Sequence, residues 1–237
     1  MLKKQSILLP LALLLGLTSC VNTNADSRLS SYAYRSASVL PVVTYDNDAY
    51  VILSREAFGK SRGTYDDFGG SRDKGEGHPV ITAAREFYEE AILGETIGLT
   101  IAEVQDYIDI NTTNNTGYIV AHSQGRAKNV TYITDFDCYK TKFLDSFYQA
   151  RHNATDVHLK EKDRIAVVKW TVLEETFAQS KKVNDLTIKA FVLSPKTKTY
   201  HPAHIKLRPY FVKKLRPFFV GEPYTQGLSK KIRFYGE

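Results

Sequence analysis

Cysteine is scarce in this chain: two occur among 237 residues, Cys20 and Cys138. A framework of several disulfides is excluded, and if Cys20 is used otherwise no intramolecular disulfide can form, which leaves Cys138 as an expected buried thiol. Internal repeats and low-complexity blocks are absent, so the chain is not a repeat array. Long apolar runs are lacking as well. The apolar stretch Ile7–Leu17 is too short for a comfortable membrane span. Charge of one sign is not in large excess: 32 basic residues face 26 acidic ones, a balance of +6 that many soluble proteins share and that is no nucleic-acid signature.

That apolar stretch follows Lys3 and Lys4 and ends in Leu17-Thr18-Ser19-Cys20. A basic start, a short apolar run and small residues read as a secretory signal over 1–19. The ending resembles the lipobox of bacterial lipoproteins, which implies that Cys20 is lipidated and anchors the chain to a membrane of the bacterial cell envelope, on its periplasmic or outer side. A plain secretory signal with an incidental cysteine is the alternative. Loss of the signal removes Lys3 and Lys4 and lowers the net charge from +6 to +4 (32 basic residues less two, against 26 acidic). Residues 20–38 are rich in Ser, Asn and Ala and read as a flexible tether, with a domain of about 200 residues over 39–237.

Within that domain, β-branched and aromatic runs at Val39–Tyr45 and Ala49–Arg55 flank Asp46-Asn47-Asp48, the pattern of an antiparallel hairpin. Helices are expected from Pro79 to about Ile92, from Thr100 toward Tyr107, over Tyr139–Arg151 and over Leu173–Ser180. Strands are expected at Tyr118–His122, Val130–Phe136 and Ile165–Val172. The basic, aromatic end of the chain is read as helical from near Pro202, broken or kinked at Pro209 and Pro217. Strands interleaved with helices predict an α/β sandwich.

The densest chemistry lies between Gly69 and Gly94. In Arg85-Glu86-Phe87-Tyr88-Glu89-Glu90, a helix sets Glu86 and Glu90 one turn apart on one face with Glu89 beside them. Like charges at that spacing repel, so a cation is expected among them, and an all-oxygen ligand set suits magnesium (Mg2+) or manganese (Mn2+). Upstream, Gly69-Gly70-Ser71-Arg72-Asp73-Lys74-Gly75-Glu76 is a glycine-rich turn able to bring backbone groups close to an ion or a phosphate.

The stretch Gly70–Leu93 resembles the Nudix box, G-x5-E-x7-R-E-U-x-E-E-x-G-U. Gly70, Glu76, Arg85, Glu86, Glu89 and Glu90 fall in place, with eight residues between Glu76 and Arg85 where the pattern has seven. Phe87 replaces an aliphatic residue; Ile92 stands where the family has glycine, with Gly94 as the expected helix stop. The resemblance covers roughly Val39 to Gln179 and implies a Nudix-like α/β/α sandwich with a mixed sheet. It implies hydrolysis of the diphosphate bond of a nucleoside diphosphate linked to another group, with a metal ion held by Glu86 and Glu90 as principal ligands, Glu89 sharing the ion and the Gly69 carbonyl completing the set. Glu76 either holds a second ion or stabilises its loop. Arg85 is expected to orient a box glutamate, and Arg72 and Lys74 to meet phosphate. The general base is Glu89 or Glu161, the latter in the charged run Lys160–Arg164.

Two further readings compete. A Nudix scaffold can bind a nucleotide or a protein without turnover. The sequence Ala121-His122-Ser123-Gln124-Gly125 resembles the nucleophile elbow of serine esterases, yet the β-branched Asn129–Ile133 that follows fits a hairpin and not the helix an elbow requires. Lys181-Lys182 and Lys213-Lys214 read as a solvated basic face, and Tyr210, Phe211, Phe218 and Phe219 as core aromatics. Expected partners are therefore a small nucleoside diphosphate derivative and, through Cys20, a membrane, with no nucleic acid; oligomeric state is not legible.

Overall fold

Asp46 and Asn47 both adopt positive φ (48° and 66°), the backbone of a tight hairpin turn that short polar side chains tolerate. They join β1 (Ser36–Tyr45) to β2 (Asp48–Glu56), the expected hairpin. The computed structural model describes residues 33–113, 117–124, 127–156, 158–180, 183–220 and 232–236. The signal segment, Cys20 and most of the tether lie outside them, as do Lys181, Lys182 and Gly125. The tether assigned to 20–38 ends earlier than expected, because β1 begins at Ser36 and Tyr34 is already buried.

In chain order follow β3 (Tyr65–Asp66), β4 (Phe68–Ser71), α1 (Pro79–Glu90), α2 (Leu93–Thr96), α3 (Ile101–Thr113), β5 (Tyr118–Gln124), β6 (Ala127–Asp135) and α4 (Lys140–Asn153). Then come β7 (Lys162–Lys169), α5 (Trp170–Gln179), β8 (Thr187–Leu193), β9 (Tyr200–Lys206), α6 (Pro209–Val220) and β10 (Ile232–Gly236). The main path of the sheet runs β10-β5-β6-β1-β2-β7-β8-β9. It is mixed: β1 with β6 and β10 with β5 are parallel, and the other neighbours along this path are antiparallel.

Alternation along the strands builds two cores. Val39, Val43, Ile52, Ile165 and Val167 face α1, α3 and α4, whereas Leu40, Val51, Leu53, Ala166 and Val168 face α5 and α6. The result is the expected α/β fold, a mixed sheet between helices. Among the described residues no helix is long and apolar enough to cross a membrane.

One irregularity positions the site. β1 and β2 pair only beside their turn, from Val42 opposite Val51 to Tyr45 opposite Asp48. Beyond it they part. β4 takes the freed edge of β1 at Ser36–Val39, and β3 takes that of β2 at Ser54 and Arg55. Residues 65–71 thus fill a wedge in the middle of the sheet.

The C-terminal part departs from expectation. Pro202 lies in β9, opposite Phe191, and begins no helix. β9 ends the main path of the sheet, where a proline's missing N–H is tolerated. Trp170 to Val172 open α5 and do not prolong the strand. Pro209 opens α6, and Pro217 lies within it. Cys138, expected to be buried, is exposed in the turn ahead of α4.

Candidate active site

Helix α1 carries the box residues. The His78 ring nitrogen Nδ1 accepts the Val80 N–H at 3.3 Å and Pro79 fills the first turn, so the helix starts where sequence places it. Val80, Ala83, Ala84 and Phe87 bury one face in the first core. The helix ends at Glu90, and Ile92 takes the left-handed backbone (φ 53°) that glycine accepts most easily. Gly94 is therefore not the stop; it lies in α2, where a Cβ would come 2.5 Å from the Tyr88 hydroxyl.

Arg85 is shared by four carboxylates. Its Nε is 2.8 Å from Glu76 and 3.4 Å from Asp73, and its Nη1 is 2.8 Å from Glu86 and 3.4 Å from Glu89. Nη2 donates to the Ser71 carbonyl at 2.9 Å, which fastens the helix to the end of β4. Burial raises the pKa of Glu86; Arg85 opposes this, and the charges of Glu89 and Glu161 add to it.

Glu76 is occupied by the chain. One oxygen accepts from Arg85, the other from the Asp73 N–H at 2.8 Å and from the Thr82 hydroxyl. Burial works against its charge, but these donors, with Arg85 first, hold its pKa below the usual glutamate value. Arg72, expected at phosphate, donates to the Glu76 carbonyl at 2.6 Å and lies over the Tyr34 ring, 4.9 Å from its centroid. Lys74 is exposed.

Glu90 departs furthest from expectation. It is buried, its Oε2 accepts the Gly69 N–H at 2.7 Å, and its Oε1 lies 3.1 Å from the ammonium of Lys162. Lys162, wholly buried at the start of β7, also meets Glu56 at 2.8 Å and Asp66 at 2.9 Å. Burial opposes the lysine's charge, and Glu90, Asp66 and Glu56 outweigh it, holding its pKa well above the usual lysine range. Arg208, just ahead of α6, donates to Glu56 at 2.8 Å and to Asp66 at 2.7 Å. One residue on, Asp67 takes Lys214 of α6 at 2.6 Å and the Ser38 hydroxyl at 2.7 Å. Lys214 is buried, so the basic face expected there holds only for its exposed neighbour Lys213.

A cleft of about 520 Å³ opens beside this wedge. The backbone of Gly69–Ser71 borders it, with Asp66, Asp67, Asn129, Arg208 and Tyr210. The Asn129 amide accepts from Ser36 at 2.6 Å and donates to the Tyr210 hydroxyl. Tyr210 is exposed, whereas Phe211, Phe218 and Phe219 pack with the second core as expected. Gly69 has no room for a side chain, since a Cβ would lie 2.6 Å from the Ala37 carbonyl and against Ser38; at Gly70 it would meet the Glu86 carboxylate.

The expected ion site, Gly69, Glu76, Glu86, Glu89 and Glu90, is thus divided. Glu76 and Glu90 are held by donors of the chain, while Glu86 and Glu89 share one guanidinium with carboxylates in excess. Among the described residues no three His, Cys, Asp or Glu side chains converge as a ready metal site. Lys162, Asp66, Asp67, Arg208 and Lys214 were not singled out by the motif; the pair Asp66-Asp67 ahead of the double glycine was the available signal. Ser123 lies in β5, which pairs antiparallel with β6, His122 opposite Asn129; the next described element after the serine is a strand and not the helix an elbow requires.

No family model matches the sequence, and no curated protein matches it. Solved structures similar to the chain include a MutT/nudix family protein from Enterococcus faecalis, 9% identical over 82% of this chain and 70% of that one, TM-score 0.39. Others are an Ap4A hydrolase from C. elegans in a binary complex (12% identity, 44% and 64% coverage, TM-score 0.28) and a bifunctional NMN adenylyltransferase/ADP ribose pyrophosphatase from Francisella tularensis complexed with AMP and a Mn ion (15%, 48% and 34%, 0.30). The chain spans less than two thirds of the latter two.

Proposed function

We propose that the chain is a divalent-metal-dependent hydrolase that cleaves the diphosphate bond of a nucleoside diphosphate linked to another group. The observation that carries this reading is the charge around Arg85: four carboxylates share one guanidinium. Such an excess attracts a small hard cation. The match of Gly70–Leu93 to the Nudix box supports the same conclusion.

Glu86 and Glu89 would hold the ion. When bound there, magnesium or manganese would supply charge neutralisation for the diphosphate and a lowered pKa for the attacking water. Arg85 orients both carboxylates, and Gly70, lacking a side chain, leaves the Glu86 carboxylate room beside the cleft. Glu89 or Glu161 takes the proton from water. The cleft, within the size range of small-molecule sites, receives the nucleoside diphosphate, and the exposed Lys74 of the glycine-rich loop is the residue proposed to meet phosphate. The N-terminal sequence supports attachment to the cell envelope through lipidated Cys20.

The lysine on Glu90 favours a second reading, a nucleotide-binding module without turnover, because a principal ligand of the motif is otherwise engaged. Dinucleotides, nucleotide sugars and nucleoside triphosphates, incubated with the protein and magnesium and followed by chromatography, separate the two. Release of a nucleoside monophosphate, lost with EDTA and reduced about 100-fold or more by Glu86→Gln, is the outcome expected of the hydrolase. Binding of these compounds without any product would establish the module.

A further inference from the structure

The cation beside Glu90 is an ammonium group of the chain itself. Lys162 has three protons to donate, and three carboxylates stand within 3.1 Å of it: Glu56, Asp66 and Glu90. It is wholly buried, a position lysine holds only when paired. The second oxygen of Glu90 accepts the Gly69 N–H at 2.7 Å. An ion bound to Glu90 would sit within a few ångström of this ammonium, and two positive centres that close in a buried site repel strongly.

Lys162, the first residue of β7, meets Glu90, which lies one helical turn beyond Glu86 on α1. We propose that Lys162 is a positioning residue whose ammonium takes the place of a divalent ion at Glu90. It ties Glu90 to the Gly69 amide, sets the glycine pair beside Glu86, and confines ion binding to Glu86 and Glu89. The last clause rests on the hydrolase reading; the first two stand without it.

Two measurements on the full chain test this. In EDTA, Lys162→Met leaves buried carboxylates uncompensated and is expected to lower the melting temperature by roughly 10 °C. Adding Glu90→Gln to it should recover part of that loss, because the charge pair is then removed together; strictly additive shifts overturn the proposal. Should Lys162→Met not fold, Lys162→Gln carries the same comparison. Manganese binding, followed by electron paramagnetic resonance, is expected to weaken about tenfold or more in Glu86→Gln and to stay within about threefold of the parent in the double variant. A double variant that weakens as much as Glu86→Gln overturns the confinement of the ion. A parent that binds no manganese removes the hydrolase reading and the confinement with it, while the melting comparison still decides the role of Lys162.

Discussion

Glu76 holds the glycine-rich loop through contacts that depend on its charge. Its pKa lies below the ordinary 4.5, burial being outweighed by Arg85, Thr82 and the Asp73 N–H. A depressed carboxylate contributes stability that is fully present above its unfolded pKa and lost as pH falls through the folded one. The melting temperature should therefore decline below about pH 4.5, and Glu76→Gln should flatten that decline while lowering the plateau at neutral pH. Thermal melts of both proteins across the acid range check this. An acid limb unchanged by the substitution would assign the loop's stability elsewhere. The box residues of this cluster were legible because they are local, spaced along one helix and its preceding turn. Lys162 was not, since its partners Glu56 and Asp66 lie 106 and 96 residues away and only the folded sheet brings them together.

At the level of elements, β4 depends on what Gly69 lacks. A Cβ there would lie 2.6 Å from the Ala37 carbonyl in the paired strand β1, and backbone cannot yield as a side-chain tip can. Gly69→Ala should cost about 1–3 kcal/mol or more in urea denaturation. Gly77→Ala, in the loop that follows β4 and with open space around it, is expected to stay within about 0.5 kcal/mol. Helix α1 and the β1–β2 hairpin were legible from capping residues, apolar periodicity and the Asp-Asn turn. The β8–β9 hairpin was not. β9 carries Pro202 and alternates weakly, with only Ile205 buried, so nothing in it outweighs the proline as a helix signal until the neighbouring strand is known.

Across the whole molecule, α6 is tied to the first strand and to the wedge. Lys214 reaches Ser38 and Asp67, which precede it by 176 and 147 residues. Lys214→Met strands the buried Asp67 carboxylate and should cost about 3–5 kcal/mol, whereas Lys213→Met, at the exposed neighbour, should cost less than about 0.5 kcal/mol. Chemical denaturation of the two variants side by side is the check; equal effects would mean that the ion pair contributes nothing to the fold. The general architecture was legible from interleaved strands and helices, but not this closure, because an exposed and a buried lysine look alike in sequence. The central position of β1 also governs the order of events in folding. Its parallel partner β6 is aligned through Ser36 and Asn129, 93 residues apart, so the middle of the sheet cannot close while only the first half of the chain has been synthesised. Such distant pairing slows folding, and it leaves the edge of β1 open on the nascent chain as a surface for chaperones to cover.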